Sequence, residues 1–290
     1  NIELHGHRLD LNDAFIQAYT YESAAESGDI RISTRDLTLE NGSYISGLTY
    51  DDPRYSYAAD GRGGDVRIQA QSLTVKEDSD ISAYSQGPGS GGDLTIDAGA
   101  VSMATSGDIA VKAFRAGDSG DFTLTADSVA MSGLNSPNPV TLGALVTGRA
   151  TGQGGDFSLE TNNLEIRDGA QLTTTTWGAG DAGKLDIRAD EVLLAGRNEL
   201  NAPAGIFARA YGTGSAGAFT IKDRAGASAA ESRLSLRVQD GASISSSSFG
   251  TGRGGDVKIV ADSLLLTPEN NAGGGSMLST GIFARGWEGD

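Results

Sequence analysis

Apolar and polar residues alternate along this chain in short bursts, and the bursts recur behind a glycine. The phrase is Gly-Asp-apolar-polar-apolar, first met as Gly28-Asp29-Ile30-Arg31-Ile32. It returns from Gly64, Gly92, Gly120, Gly155, Gly183, Gly217 and Gly255, with Lys184 and Ala218 in place of the aspartate in two copies. The glycines stand 36, 28, 28, 35, 28, 34 and 38 residues apart. A period of 28 with additions of 6 to 10 residues marks a repeat carrying loop insertions.

Each unit reads as three short strands. In the first, apolar residues stand two and four positions after the glycine, a small residue usually stands at six, and a polar residue lies between the apolar pair. Such alternation describes a strand with one buried face. A second apolar pair follows nine positions after the glycine, as in Leu37/Leu39, Leu73/Val75 and Leu164/Ile166. One pair, Leu236/Val238, is displaced by ten residues. Polar corners such as Asp127-Ser128, Asn162-Asn163 and Asp262-Ser263 separate the two strands, because Asp, Asn and Ser bend the chain through side-chain to backbone hydrogen bonds. The third strand opens on Ile45, Ile81, Ile109, Ala144, Leu172, Ile206, Ile244 or Ile282. Asn41-Gly42, Asp168-Gly169 and Asp240-Gly241 lead into it, with glycine supplying a positive φ. This phase turns Ile244 and Ser246 inward and Ser247 outward.

A unit of this size cannot bury its apolar face alone. If each unit is one turn of a solenoid, every inward residue stacks on its equivalents in adjacent turns. The expected fold is all-β: a right-handed parallel β-helix of about eight coils, about 38 Å long at about 4.8 Å per coil. A propeller blade needs four strands in about 40–45 residues, more than 28 residues supply. Residues 1–27 read as an irregular start with a partial coil, and residues 28–290 as one continuous solenoid. Neither end shows a polar cap, so the chain reads as a segment of a longer shaft.

Composition narrows the classes. The 290 residues include 42 glycines but no Gly-X-Y period, which excludes collagen. A net charge of -16 repels nucleic-acid phosphates and anionic membranes, so no nucleic-acid partner is expected. The absence of cysteine removes disulfides and thiolate metal sites. No apolar run reaches the roughly 18 residues of a membrane-spanning helix.

Phrases such as Asp168-Gly169-Ala170-Gln171-Leu172-Thr173 and Asp240-Gly241-Ala242-Ser243-Ile244-Ser245 lead through glycine-rich arcs, residues 178–183 and 250–255, into strands of the Gly-Asp-Val-Lys-Ile type. This pattern, over roughly Gly28 to Trp287, resembles the repeat region of filamentous haemagglutinin-like exoproteins of bacterial two-partner secretion. The resemblance implies a right-handed β-helix exported through an outer-membrane secretion barrel and secreted or held at the bacterial cell surface. It further implies an adhesin-type role in cell contact, biofilm or self-association. A β-helical polysaccharide-processing enzyme and the stalk of a contact-dependent toxin share the architecture.

Two columns of residues carry candidate chemistry. The first is Asp29, Asp65, Asp93, Asp121, Asp156 and Asp256, one step after each glycine. Stacked carboxylates either hold Ca²⁺ between coils or accept hydrogen bonds within their own turns. The second is an aromatic file five residues into the third strand: Tyr21, Tyr50, Phe114, Trp177, Tyr211, Phe249 and Trp287, interrupted by Gln86 and Arg149. Its rings either stack on sugar rings of a glycan or cover the corner and pack on one another. Catalytic residues are not expected. His5 and His7 are the only histidines, and the off-pattern group Asp51, Asp52, Arg54, Asp60 and Arg62 reads as an exposed acidic loop.

Overall fold

The computed structural model describes residues 1–21, 26–50, 61–147, 150–226, 231–268 and 280–286. Among these residues all regular structure is strand. The strands form two sheets, of twelve and nine strands, with parallel ladders throughout. The chain passes from one sheet to the other and back, and each strand pairs with its counterparts one circuit earlier and later. One such circuit is called a coil below.

In six of the eight units the first two expected strands are one. Six coils carry a single strand of ten or eleven residues, such as Ile30–Glu40, Val66–Val75, Leu94–Ala104 and Phe122–Ser132. The polar corner survives as a bend inside that strand. Arg35, Gln71, Gly99, Asp127, Asn162 and Asp190 are skipped in the register, which resumes with the next residue. Inward residues therefore fall three apart at the bend, as from Ala98 to Val101, instead of two. That slip turns the buried face through a corner while the hydrogen-bond ladder continues. Where the expected corner holds Asp262-Ser263 the strand does break, into Val257–Ile259 and Ser263–Thr267. The ten extra residues after Lys222 likewise divide Phe219–Lys222 from Ser235–Gln239.

The second sheet corrects the sequence reading at one coil. Leu142, not Ala144, pairs with Ile109 and Leu172. Leu142 and Ala144 share parity and are both buried, so only the neighbouring coils decide between them. Within the stretch 1–27, read as an irregular start with a partial coil, the described residues hold three strands. Ile2–His5 pairs with Ile30–Ser33, Arg8–Asn12 with Asp36–Glu40, and Phe15–Tyr21 with Tyr44–Tyr50. It lacks the Gly-Asp phrase, but Ile2, Leu4, Leu9 and Leu11 keep the inward spacing.

Columns of like residues fill the interior. One runs Ile30, Val66, Leu94, Phe122, Phe157, Leu185, Phe219, and the rings of Phe122 and Phe157 stack at 4.4 Å and 3°. Toward the glycine-rich arc the interior residues become small, such as Ala113, Ala210 and Ser248, and several carry hydroxyls. There the hydroxyl of Thr176 donates to the carbonyl of Gly180 at 2.8 Å, and that of Ser246 accepts from the amide of Gly255 at 2.8 Å. Ser246 is fully buried, as its phase requires, but Ser247 is only 5% exposed although its parity points outward. A short side chain in register with Arg209 does not reach solvent.

The anchor glycines are required by close approach rather than by φ. A Cβ on Gly120 would stand 1.9 Å from the carbonyl oxygen of Gly92, and one on Gly155 would stand 1.8 Å from that of Gly120. The turn glycines are the other kind: Gly42, Gly169 and Gly241 have φ of 72°, 81° and 81°. Gly120→Ala is expected to lower stability by about 1–3 kcal/mol through overpacking between coils. Gly6→Ala, with nothing within 4 Å of the new methyl, should leave the melting temperature nearly unchanged. Equal thermal melts of the two variants would refute this account of the glycines.

Candidate functional site

The aspartate column is a hydrogen-bond ladder between coils. The Oδ1 of Asp29 accepts the amide of Asp65 at 3.2 Å, that of Asp65 the amide of Asp93 at 3.0 Å, and that of Asp93 the amide of Asp121 at 2.9 Å. Asp121 accepts from Asp156 at 2.9 Å and Asp156 from Lys184 at 2.8 Å. Asn1 opens the column by accepting from the amide of Asp29. The bonds thus reach the next coil, not the residue's own turn. Lys184 still donates through its backbone but offers no acceptor, so the run ends there, and Asp256 stands beyond it.

These residues do not fit a Ca²⁺ site. Their Oδ1 atoms face backbone N–H groups, and Oδ2 of Asp29, Asp65 and Asp93 faces Arg31, Arg67 and Arg62 at 2.7, 2.8 and 2.9 Å. Among the described residues no three acidic or histidine side chains converge as metal ligands. Burial alone would raise the Asp65 carboxyl. The Asp93 amide and the guanidinium groups of Arg62 and Arg67 outweigh it and hold the group below the usual carboxylate range. Of the off-pattern acidic group, Asp51, Asp52, Arg54 and Asp60 lie outside the described residues.

A second ladder, missed in the sequence, runs two positions before the anchor glycines. Asp118 accepts the amide of Gln153 at 2.6 Å, Gln153 that of Asp181 at 3.0 Å, and Asp181 that of Ser215 at 2.7 Å. The position holds a polar residue in every unit, from Glu26 to Arg253, and that was the available signal.

The aromatic file is partly assembled. Trp177 and Tyr211 stack with centroids 5.7 Å apart at 8°, and Tyr211 and Phe249 at 4.9 Å and 9°. The three are 43%, 41% and 53% exposed. Their faces meet along the axis, so the middle ring has no open face for a sugar. Phe114 leaves the file and meets Tyr84 edge-on at 5.5 Å. The corrected register at Leu142 puts Thr147, not Arg149, in the coil before Trp177; Arg149 lies outside the described residues. Trp287 and the side chains of Tyr21 and Tyr50 also lie outside what the structure describes. Beside the file, Arg209 lies 3.6 Å over the ring of Phe207 and donates to Gln171 at 3.0 Å. Burial pulls its guanidinium below the usual range, against the opposing effect of Tyr211.

The outer face of the second sheet holds a cluster the sequence did not disclose. Lys112 Nζ stands 2.5 Å from Asp80 and 2.7 Å from Asp108, which are register partners on adjacent strands. Burial pulls the Lys112 ammonium down, but the two carboxylates outweigh it and hold it well above its usual range. The Oδ1 of Asp108 is closed off from solvent without a hydrogen-bond partner. Burial pushes this carboxyl up to about 6, Lys112 opposes the shift, and Asp80 adds to it. The signal was faint, since other coils fill the aspartate position with Thr141, Gln171 or Gly205 and the lysine position with Leu145, Thr175 or Arg209.

No family model matches the chain, and neither a curated protein nor a solved structure matches it. The fold alone therefore sets the class: an all-β chain of two parallel sheets with the strand order of a solenoid.

Asp93→Ala removes an inter-coil acceptor and is expected to cost about 0.5–1.5 kcal/mol in thermal or denaturant melts, whereas Asp93→Asn keeps the acceptor and should lose less. Addition of a Ca²⁺ chelator should leave the wild-type melting temperature unchanged; a drop would restore the metal reading. For Asp108, the folded pKa lies above the unfolded one, so the folded state binds more protons between about pH 4 and 6. Its contribution is full below that window and is lost as pH rises through it. The stability of Asp108→Asn relative to wild type should therefore increase from pH 4 to 6 and level off above, and a flat difference would contradict the shifted carboxyl.

Proposed function

We propose that the chain is a non-enzymatic shaft of adhesin type, secreted or held at the bacterial cell surface. It is read as a right-handed parallel β-helix with a 28-residue basic coil, delivered through an outer-membrane secretion barrel. Its outer faces mediate cell contact, biofilm or self-association, with glycans, other cells or copies of itself as partners.

One observation carries this reading: the repeated polar residues are engaged in holding coil to coil. The carboxylates of the Gly-Asp column accept backbone amides of the next coil, and the residues two before the glycine do the same. Groups bound in this way are unsuited to turnover, and they extend a rod whose variable outer residues remain to meet a partner. A sheet of parallel strands stacked in one direction has the form of a spacer. The net charge of -16 suits a soluble, exposed rod.

Retention of bacterial or host cells on a surface coated with the purified chain tests the proposal. Absence of retention together with turnover of a polysaccharide would replace the shaft with an enzyme. Within this reading the aromatic file is packing. Trp177→Ala is expected to lower stability by about 0.5–1.5 kcal/mol beyond the area lost and to leave adhesion per folded molecule unchanged. An unchanged melt with lost adhesion would make the file a ligand strip.

A further inference from the structure

We infer that the groove between Tyr44 and Tyr84 on the outer face of the second sheet is a binding site for a saccharide carrying free amino groups. The inference rests on the adhesive reading above and names a partner for one part of the shaft.

The groove has a volume of about 280 Å³. Its floor is the small side chain of Ser46; Ser82 and Ala110, which follow it in register, are fully buried. Larger side chains rise on both sides. Tyr44 stands on one edge and Tyr84 on the other, with Gln17, Asp78 and Asp80 completing the lining.

Both tyrosine rings are held by a second ring. Tyr44 stacks on Phe15 at 5.1 Å and 6°, and Tyr84 meets Phe114 edge-on at 5.5 Å. Rings fixed in this way give contact area with little ordering left to occur on binding. The polar lining is also fixed. Gln17 donates to Ser46 at 3.3 Å, Asp80 takes the hydroxyl of Ser82 and the ammonium of Lys112, and Asn138 donates to Asp78 at 3.4 Å.

Charge selects the class of ligand. Asp78 and Asp80 line the groove, and Asp80 and Asp108 share the one ammonium of Lys112, in a chain of net charge -16. A uronic or sulfated sugar would be repelled. A protonated amine is attracted by the carboxylates and by the tyrosine faces. Ring C–H groups suit Tyr44 and Tyr84, and hydroxyls suit the amide of Gln17 and the free lone pairs of the carboxylates. An amino sugar unites these features. Its lining comes from three successive strands, so the groove runs along the direction in which the coils stack for about 10 Å.

The test is titration calorimetry of the whole chain with three probes: a β-1,4-linked glucosamine tetramer, its fully N-acetylated form, and spermidine as an amine without a sugar ring. The glucosamine tetramer should bind at least about tenfold more tightly than either of the others. Asp78→Asn, at an exposed position, and Gln17→Ala should each weaken it about five- to tenfold with unchanged melting curves. Tyr84→Ala should abolish it, and Trp177→Ala should leave it intact. Equal affinity for the free and acetylated tetramers, equal affinity for spermidine, or indifference to Asp78→Asn would each overturn the site. Cell retention measured on the same preparations separates the two ideas: retention without tetramer binding removes the groove and leaves the shaft standing.

Discussion

Everything in this molecule is spaced by the hydrogen bond between parallel strands. That bond sets neighbouring backbones about 4.8 Å apart, and every column of side chains inherits the distance. Inside, the distance suits branched aliphatic residues and flat rings, which is why Ile, Leu and Val recur and why Phe122 lies on Phe157. At the glycines of the arc it leaves no room for a side chain, because a carbonyl oxygen of the neighbouring coil stands where Cβ would be. Outside, it brings like charges together unless each is given a task. The aspartates have one, since a carboxylate oxygen between two backbones bonds the amide of the next coil.

Much of this was legible in the sequence, and the exceptions share a cause. The aliphatic pairs, the Asn-Gly and Asp-Gly turns and the inward position of Ser246 follow from period and parity, which are local properties. Leu142 was mistaken for Ala144 because two residues of equal parity in one strand differ only by what lies beside them in other coils. The strands of residues 2–12 were missed because they keep the apolar spacing without the glycine phrase that advertises it elsewhere. The fused strand was divided in two because a phase slip at a polar residue looks in sequence like a break.

The candidate sites were less legible still. The aspartates were visible as a column, but a hydrogen bond that spans 28 to 36 residues has no sequence signature that separates it from a bond within the turn. The groove is harder because it is made of departures from the repeat. Tyr44, Asp80 and Lys112 occupy outward positions free to vary, and their meeting depends on which coil follows which. In a solenoid the repeat encodes the scaffold, and recognition must be sought among residues that break it.

The direction of the backbone hydrogen bonds has a mechanical consequence. They lie along the stacking direction, so a pull on the two ends of the rod loads them in series, one coil boundary after another. Such a rod yields by peeling from an end, not by shearing as a unit. Each 28-residue coil released adds about 95 Å of extended chain. Coils with insertions add more, and the aspartate bonds stiffen only the boundaries they cross. A tether built this way lengthens in steps under load, and past Lys184, where that ladder stops, the second ladder through Asp181 and Ser215 carries the side-chain bonds between coils.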